Sequence, residues 1–78
     1  MARVRILIKL RKEILDPEGQ AVAGAIRRNG FGSAEARVGK VVELDLEGSR
    51  EDNEQRVHEI ADKVLVNPVM QDYEVEWL

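Results

Sequence analysis

The chain has 78 residues, of which 44% are hydrophobic and 35% are charged, and it contains no cysteine. A disulfide, a thiolate zinc site and a thiol nucleophile are therefore excluded. Twelve basic and fifteen acidic residues give a formal charge of −3, which argues against nucleic-acid binding because that affinity draws on a basic surface. No apolar run approaches the ~20 residues of a membrane span, and the amino terminus lacks an apolar signal core. We expect one cytoplasmic domain over residues 1–78, with a small core that needs a partner.

The first predicted element is a strand over residues 3–11. Apolar residues recur at a period of two, at Val4, Ile6, Ile8 and Leu10, and therefore share one face. The opposite face is basic with one apolar exception and carries Arg3, Arg5, Leu7, Lys9 and Arg11. This alternation predicts a half-buried strand.

A helix is predicted to follow the first strand. Asp16 is expected to cap it, and Pro17 fits its first position, where no amide donor is needed. The helix should run to Arg28 with an apolar stripe at Val22, Ala25 and Ile26. The dipeptide Asn29-Gly30 is expected to end it, because both residues tolerate the left-handed conformation.

The second strand is expected at about residues 40–47, after a flexible connection. Its apolar positions are Val42, Leu44 and Leu46. Gly39 is expected to mark a bulge or a tight bend. The basic segment Arg37-Val38-Gly39-Lys40 has two interpretations: its side chains and a free amide hold an anion, or it is a bulge with solvated charges, which we prefer.

The clearest predicted helix begins after Ser49, with Asp52 completing a capping box. Its stripe has helical spacing and consists of Val57, Ile60, Ala61, Val64 and Leu65. Charge pairs are expected at Asp52–Arg56 and Glu59–Lys63. Asn67-Pro68 should stop the helix. A third strand follows, with an apolar face made of Tyr73, Val75 and Trp77.

The polar faces of the three strands predict their order. The first strand is basic, whereas the second and third are acidic at Glu43, Asp45, Glu47, Glu74 and Glu76. Opposite charges across a sheet stabilise it and like charges destabilise it, so the first strand belongs between the others. We predict an α+β fold, β-α-β-α-β, with a three-stranded antiparallel sheet in order 3-1-2. Both helices should cover one face, as in a relative of the ferredoxin-like fold.

No motif in the chain indicates catalysis. Gly30-Phe31-Gly32 starts like a dinucleotide fingerprint, but the third glycine is missing and the segment follows a helix rather than a strand. His58 has no partner set for acid–base chemistry or for a metal. We therefore assign no catalytic, cofactor-binding or metal residue. Leu7 and Val41 are apolar residues on the outer face, which favours a contact between subunits there.

Three segments in order resemble the PurS family, and together they cover nearly the whole chain. The first, after the basic strand, is Leu15-Asp16-Pro17-Glu18-Gly19. The second, before an acidic strand, is Arg37-Val38-Gly39-Lys40. The third is Asn67-Pro68-Val69-Met70-Gln71-Asp72-Tyr73-Glu74-Val75, which is similar to the family's Asn-Pro-Val-(Ile/Met)-(Glu/Gln)-Asp-Tyr.

The resemblance implies a non-catalytic subunit of phosphoribosylformylglycinamidine synthase, an ATP- and glutamine-dependent C–N ligase of purine biosynthesis. It implies a glutaminase partner that makes ammonia and a large synthetase partner that uses ATP and magnesium. The small subunit, as a dimer or higher oligomer, would bridge the two and support ammonia transfer. We expect interface residues at Leu7, Arg37, Lys40, Val41, Asp72 and Tyr73.

Two other function classes remain. The first is a dimeric regulatory module that binds a small molecule between subunits. A glycine-rich turn directly after the first strand would favour it, but this chain has a single glycine there, Gly19. An RNA-binding sheet needs stacking aromatic residues on its open face. Tyr73 and Trp77 instead alternate onto the face that the helices are expected to cover.

Overall fold

Strand β1, Ala2–Leu10, is the centre of the molecule. The computed structural model describes residues 1–78. After β1 come α1 (Pro17–Arg28), β2 (Gly39–Leu46), α2 (Arg50–Ile60), a π-helical turn (Ala61–Leu65) and β3 (Gln71–Trp77). The strands form an antiparallel sheet in order β2-β1-β3. The predicted β-α-β-α-β fold and strand order are confirmed.

Ion pairs on the outer face of the sheet explain this order. The Arg3 Nε donates to Asp45 Oδ1 at 2.9 Å across β1 and β2. Arg5 lies between two carboxylates, 3.1 Å from Glu76 on β3 and 3.6 Å from Glu43 on β2. The hydrogen bond from Arg3 holds the pKa of Asp45 below its ordinary value. The basic strand therefore has favourable neighbours on both sides, as the sequence predicts.

The core lies between β1 and α2. Its fully buried members are Val4, Ile6, Ile8, Val57 and Ala61. Half-buried residues from the core face of β2 and β3 pack around them, among them Leu44, Tyr73, Val75 and Trp77. The apolar faces assigned to the three strands are thus confirmed. Neither helix is long and apolar enough to cross a membrane.

The end of α2 differs from the predicted stripe. The chain forms a π-helical turn in which the Val66 amide donates to the Ala61 carbonyl at 3.0 Å. The wider turn shifts the helical phase, so Val64 is 74% exposed while Leu65 still packs on the core.

The two ion pairs predicted on α2 do not form. The ion pair that forms there is Arg50–Glu54, at 3.5 Å. It joins residues one helical turn apart, as the expected pairs Asp52–Arg56 and Glu59–Lys63 would have done.

Helix α1 does not pack into the core, although its amphipathic stripe predicts that it covers the sheet. Neither Val22 nor Ile26 belongs to the core cluster or packs against it. The molecule measures 48 × 25 × 13 Å, and its radius of gyration is 15.8 Å, whereas a compact chain of this length would have about 11–12 Å. Helix α1 therefore extends away from the sheet.

Gly39 does not form a bulge. It pairs in regular register with Lys9 at the first position of β2. A side chain there would collide with the carbonyl oxygen of Ile8. The glycine is explained by this close approach of the β1 backbone, which the sequence pattern does not distinguish from a bulge.

Candidate functional site

The most distinctive feature of the chain is an arm, which we define as residues 15–38. It contains α1 and the segment that returns from α1 to β2. The returning segment lies against the first turn of the helix, because a side chain at Gly19 would collide with the Ala36 carbonyl oxygen. The arm is thus a helix with a returning segment, free of regular secondary structure, beside its first turn.

The carboxylate of Asp16 joins the two halves of the arm at its base. It is 4% exposed. Its Oδ1 accepts from the Gly19 amide at 3.0 Å, which caps α1 as predicted. Its Oδ2 accepts from the Val38 amide at 2.8 Å. The bonds from Val38 and Gly19, in that order, hold the pKa of Asp16 below its ordinary value.

Arg37 joins the arm to the end of the central strand. Its Nη2 donates to the carbonyl of Arg11 at 2.7 Å, and it also lies 3.1 Å from the Ile14 carbonyl and 3.4 Å from that of Leu10. We call Asp16 and Arg37, with these backbone partners, the clamp. The anion held by the Val38 amide is the chain's own Asp16 carboxylate, so this segment does not present a free anion site.

The structure gathers most of the predicted interface residues around one end of the sheet. A cavity of about 250 Å³ is lined by Leu7, Arg37, Asp72 and Tyr73 together with Lys9, Lys12, Leu10 and Glu74. We call it the outer-face cavity. Val41 lies beside it, directly across from Leu7, and is 55% exposed. Lys40 instead lines a separate cavity with Asp16 and Val38.

The polar groups on the α2 side of the sheet do not form a reaction centre. His58 Nδ1 and the Tyr73 hydroxyl are hydrogen-bonded at 2.9 Å. Burial raises the pKa of Tyr73 above its ordinary value. No cluster of three or more histidine, aspartate and glutamate side chains is arranged to hold a metal ion.

Comparison with known proteins identifies the family. The sequence pattern of the PurS family, described as phosphoribosylformylglycinamidine (FGAM) synthase, matches residues 3–78. The chain belongs to the PurS family. It is 42% identical over 76 residues to the phosphoribosylformylglycinamidine synthase subunit PurS of Mycobacterium leprae, covering 96% of this chain and 94% of that relative. The corresponding PurS subunit of Bacillus subtilis is 35% identical over 77 residues, covering 97% and 92%.

Solved PurS structures share the fold over the full length. PurS of Methanocaldococcus jannaschii, one of the subunits of formylglycinamide ribonucleotide amidotransferase, superposes with a TM-score of 0.89 at 33% identity, covering 100% of this chain and 96% of that one. A chain in the structure of PurLQS from Thermotoga maritima gives a TM-score of 0.89 at 28% identity, covering 99% and 96%. The predicted family and fold are confirmed.

Two polar side chains of this PurS chain have roles that the sequence analysis missed. Asp16 was predicted only as a helix cap, because its second partner, Val38, lies far along the chain and gives no local signal. Asn53 is fully buried and donates to the carbonyls of Glu47 at 2.9 Å and Ser49 at 2.8 Å. A signal for Asn53 did exist, since it lies four residues before Val57 and continues the buried stripe.

Proposed function

We propose that this chain is the small, non-catalytic subunit of phosphoribosylformylglycinamidine synthase in de novo purine biosynthesis. The complex converts formylglycinamide ribonucleotide, ATP, glutamine and water into formylglycinamidine ribonucleotide, ADP, phosphate and glutamate. The observation that carries the proposal is the PurS match over residues 3–78. We further propose that residues 1–78 act as one PurS-like domain in the cytoplasm.

In this role the chain bridges a glutaminase subunit and a large synthetase subunit and supports the transfer of ammonia between them. Its likeness to a chain of the PurLQS structure supports this arrangement. We assign the use of ATP and magnesium to the synthetase subunit. The chain contributes surfaces: the arm, the outer-face cavity and the free edge of β2.

Reconstitution tests the proposal directly. The pure chain is expected to hydrolyse neither glutamine nor ATP, because it presents no nucleophile with an activating base. Mixed with the glutaminase and synthetase subunits of the same organism, it is expected to restore formylglycinamidine ribonucleotide synthesis from glutamine. Turnover by the pure chain above a mock purification, or no gain on mixing, would contradict the proposal.

We also propose that the chain assembles with itself through the outer face of the sheet. Strand β2 pairs only with β1, so its other edge is open. Residues 41–46 contain neither a lysine nor a proline that would guard that edge. The apolar pair Leu7 and Val41 lies beside it. The contact would include Leu7, Arg37, Val41 and Asp72. Of the other residues expected at the interface, Tyr73 packs on the core face and Lys40 lies across from the core-facing Ile8, so a contact through the outer face would reach them only at the edge of the sheet.

Val41→Lys is expected to weaken this self-association, because it places a charge in the apolar contact. Sedimentation should show dissociation at protein concentrations where the native chain is associated. The melting temperature of the native chain should rise with concentration by mass action. The control is Val69→Lys, since Val69 is 78% exposed and lies outside the proposed contact. A monomeric native chain whose melting does not depend on concentration would exclude the contact.

A further inference from the structure

Helix α1 has an apolar side that nothing in its own chain covers. Val22 is 43% exposed, Ala25 and Ile26 are half-buried, and none of the three packs on the core. Isolated helices of about 12 residues are marginal in water, and packing of the apolar side supplies most of their stability in proteins. Helix α1 has 12 residues and contains Gly19 and Gly24, which lower its helix propensity further. It therefore needs a surface that covers Val22 and its neighbours.

The core face of β2 is a surface of the matching kind. We define the β2 flank as Val42, Leu44 and Leu46, which are half-buried, whereas the residues opposite them on β1 are buried. Helix α2 is fixed towards β3, because His58 is bonded to Tyr73 there, and it forms no side-chain hydrogen bond with β2. A single helix thus covers three strands and leaves the β2 flank incompletely covered.

The arm carries α1 past its own sheet. It leaves from the end at which β1 finishes and β2 begins. The nine residues of β1 span about 30 Å and the 12 residues of α1 about 18 Å, which together match the molecule's length of 48 Å. The apolar side of α1 and the β2 flank therefore do not meet within one chain.

The start of α1 lies on the core side of the sheet. Asp16 and Glu18 line a cavity together with Ile8 and Leu10, which belong to the core face of β1. A two-fold axis perpendicular to the sheet keeps the core faces of two paired copies on the same side. Helix α1 is therefore on the correct side to cover the core face of a second copy.

Charge limits how two open β2 edges can pair. In an antiparallel pair about a two-fold axis, each outer-face residue lies opposite another outer-face residue. An axis at Glu43, at Asp45 or between them sets carboxylates directly against each other, which is destabilising. An axis at Val42 avoids this but sets Val41 against Glu43. An axis at Val41 leaves no carboxylate of β2 opposite another, and it joins Leu7 and Val41 to the same pair of the second copy in one apolar row.

With the axis at Val41, the arm runs along β2 of the second copy. Continued into the returning segment, this register places Ala36 opposite Leu46 of the second copy. Gly19, in the first turn of α1, lies directly against Ala36. The helix is thus brought to the β2 flank of the second copy.

We propose that two copies of this chain pair through their β2 edges about a two-fold axis at Val41 and exchange arms. The apolar side of α1 in each copy then packs on the β2 flank of the other. The inference deepens the proposed self-association and rests on it. Each copy has one apolar helix side and one flank, so a single two-fold axis covers both pairs, whereas a different protein docked on α1 would leave the flank open.

Cross-linking tests the axis, because the chain has no cysteine of its own. Val41→Cys places two thiols opposite each other, with Cα atoms about 4.5–5.5 Å apart, within the range of a disulfide. Mild oxidation should therefore give a covalent dimer in high yield. The matched control is Glu43→Cys, whose two copies would lie about 14 Å apart and should cross-link poorly. Equal or better cross-linking at Glu43 would overturn the axis at Val41.

A lysine pair on α1 tests the exchange of arms. Val22→Lys puts a charge into the proposed helix contact and should raise the Kd of the dimer, measured by sedimentation, at least about tenfold. Gln20→Lys adds the same charge on the other side of the helix and should change the Kd less than about twofold. Lysine favours helix formation, so a loss confined to Val22→Lys reports the contact.

Hydrogen exchange gives a second measurement on the same helix. In the native dimer the amides of α1 should be protected, because the second copy covers the helix. In the monomer produced by Val41→Lys they should exchange at least about tenfold faster, while the amides of β1 stay protected in the core. Equal protection of α1 in the dimer and in the monomer would contradict the exchange.

The outcomes separate the inference from the proposal on which it rests. If the native chain stays monomeric at every concentration, the proposed self-association fails and the inference with it. If the native chain associates and Val41→Lys dissociates it, but Val22→Lys does not, the self-association stands and the exchange of arms is wrong. If Val22→Lys leaves the dimer intact but weakens binding to the glutaminase or synthetase subunit, α1 docks on that subunit, which overturns its assignment to a second copy.

Discussion

Ile6→Ala is expected to lower the free energy of unfolding by about 2–5 kcal/mol, the cost of a cavity at a fully buried isoleucine. Ile6 is completely buried at the centre of β1, between Val42 on β2 and Val75 on β3. A loss of this size is a large share of the stability of any small domain. A urea titration should show it as a lower midpoint, and the melting temperature should fall by more than about 10 °C.

The matched control for Ile6→Ala is Val64→Ala. The helical spacing of the sequence places Val64 in the buried stripe, but the π-helical turn leaves it 74% exposed. The change should therefore alter the free energy of unfolding by no more than about 0.5 kcal/mol. A large loss at Val64, comparable to that at Ile6, would mean that a regular α-helix continues past Ala61 and that the π-helical turn is wrong.

Acidification is expected to loosen the clamp. The Asp16 carboxylate has a pKa lower in the folded chain than its ordinary value of 3.8. Between the ordinary pKa and the lowered pKa of the folded chain, the unfolded chain therefore binds more protons than the folded one. The stability that the ionised Asp16 carboxylate contributes is complete above the ordinary pKa, and it is lost as the pH falls through the lowered pKa. The melting temperatures of the native chain and of the Asp16→Asn variant should differ most above about pH 5, and this difference should disappear towards about pH 2.

Asp45→Asn is the control for this pH dependence. The pKa of Asp45 is also lowered, but by the Arg3 side chain on the exposed outer face of the sheet. Salt screens an exposed pair of this kind, so its contribution should fade in about 1 M salt. The effect at Asp16 should persist in salt, because both of its partners are backbone amides at a buried site. Equal salt sensitivity of the two variants would contradict the clamp.

The sequence predicted the parts of the fold that depend on local periodicity and on charge. Alternation placed the core faces of β1 and β3, and the basic strand between two acidic ones gave the order of the sheet. The position of α1 could not be predicted in this way. An amphipathic helix reveals which side is apolar, but the pattern of Val22, Ala25 and Ile26 does not say what that side meets.

The clamp was unpredictable for a related reason. Asp16 and Arg37 lie on opposite sides of α1 in the sequence, and each bonds to backbone groups, which every residue carries. No pairing of side-chain types therefore marks the contact. The adjacency of Leu7 and Val41 was easier to predict, because these two apolar residues interrupt a charged face. The register of β1 and β2 places them directly opposite each other.

The central position of β1 also determines when the chain can fold. In the sheet Val4 lies opposite Trp77, and Ala2 lies opposite Leu46. The strand made first therefore acquires its second neighbour only after β3 has left the ribosome. Pairing across such long sequence separations is slow, because the loop entropy is lost before the contacts form. Until then the β3 side of Ile6 and Ile8 stays open, so a nascent chain is most prone to aggregation before β3 has emerged.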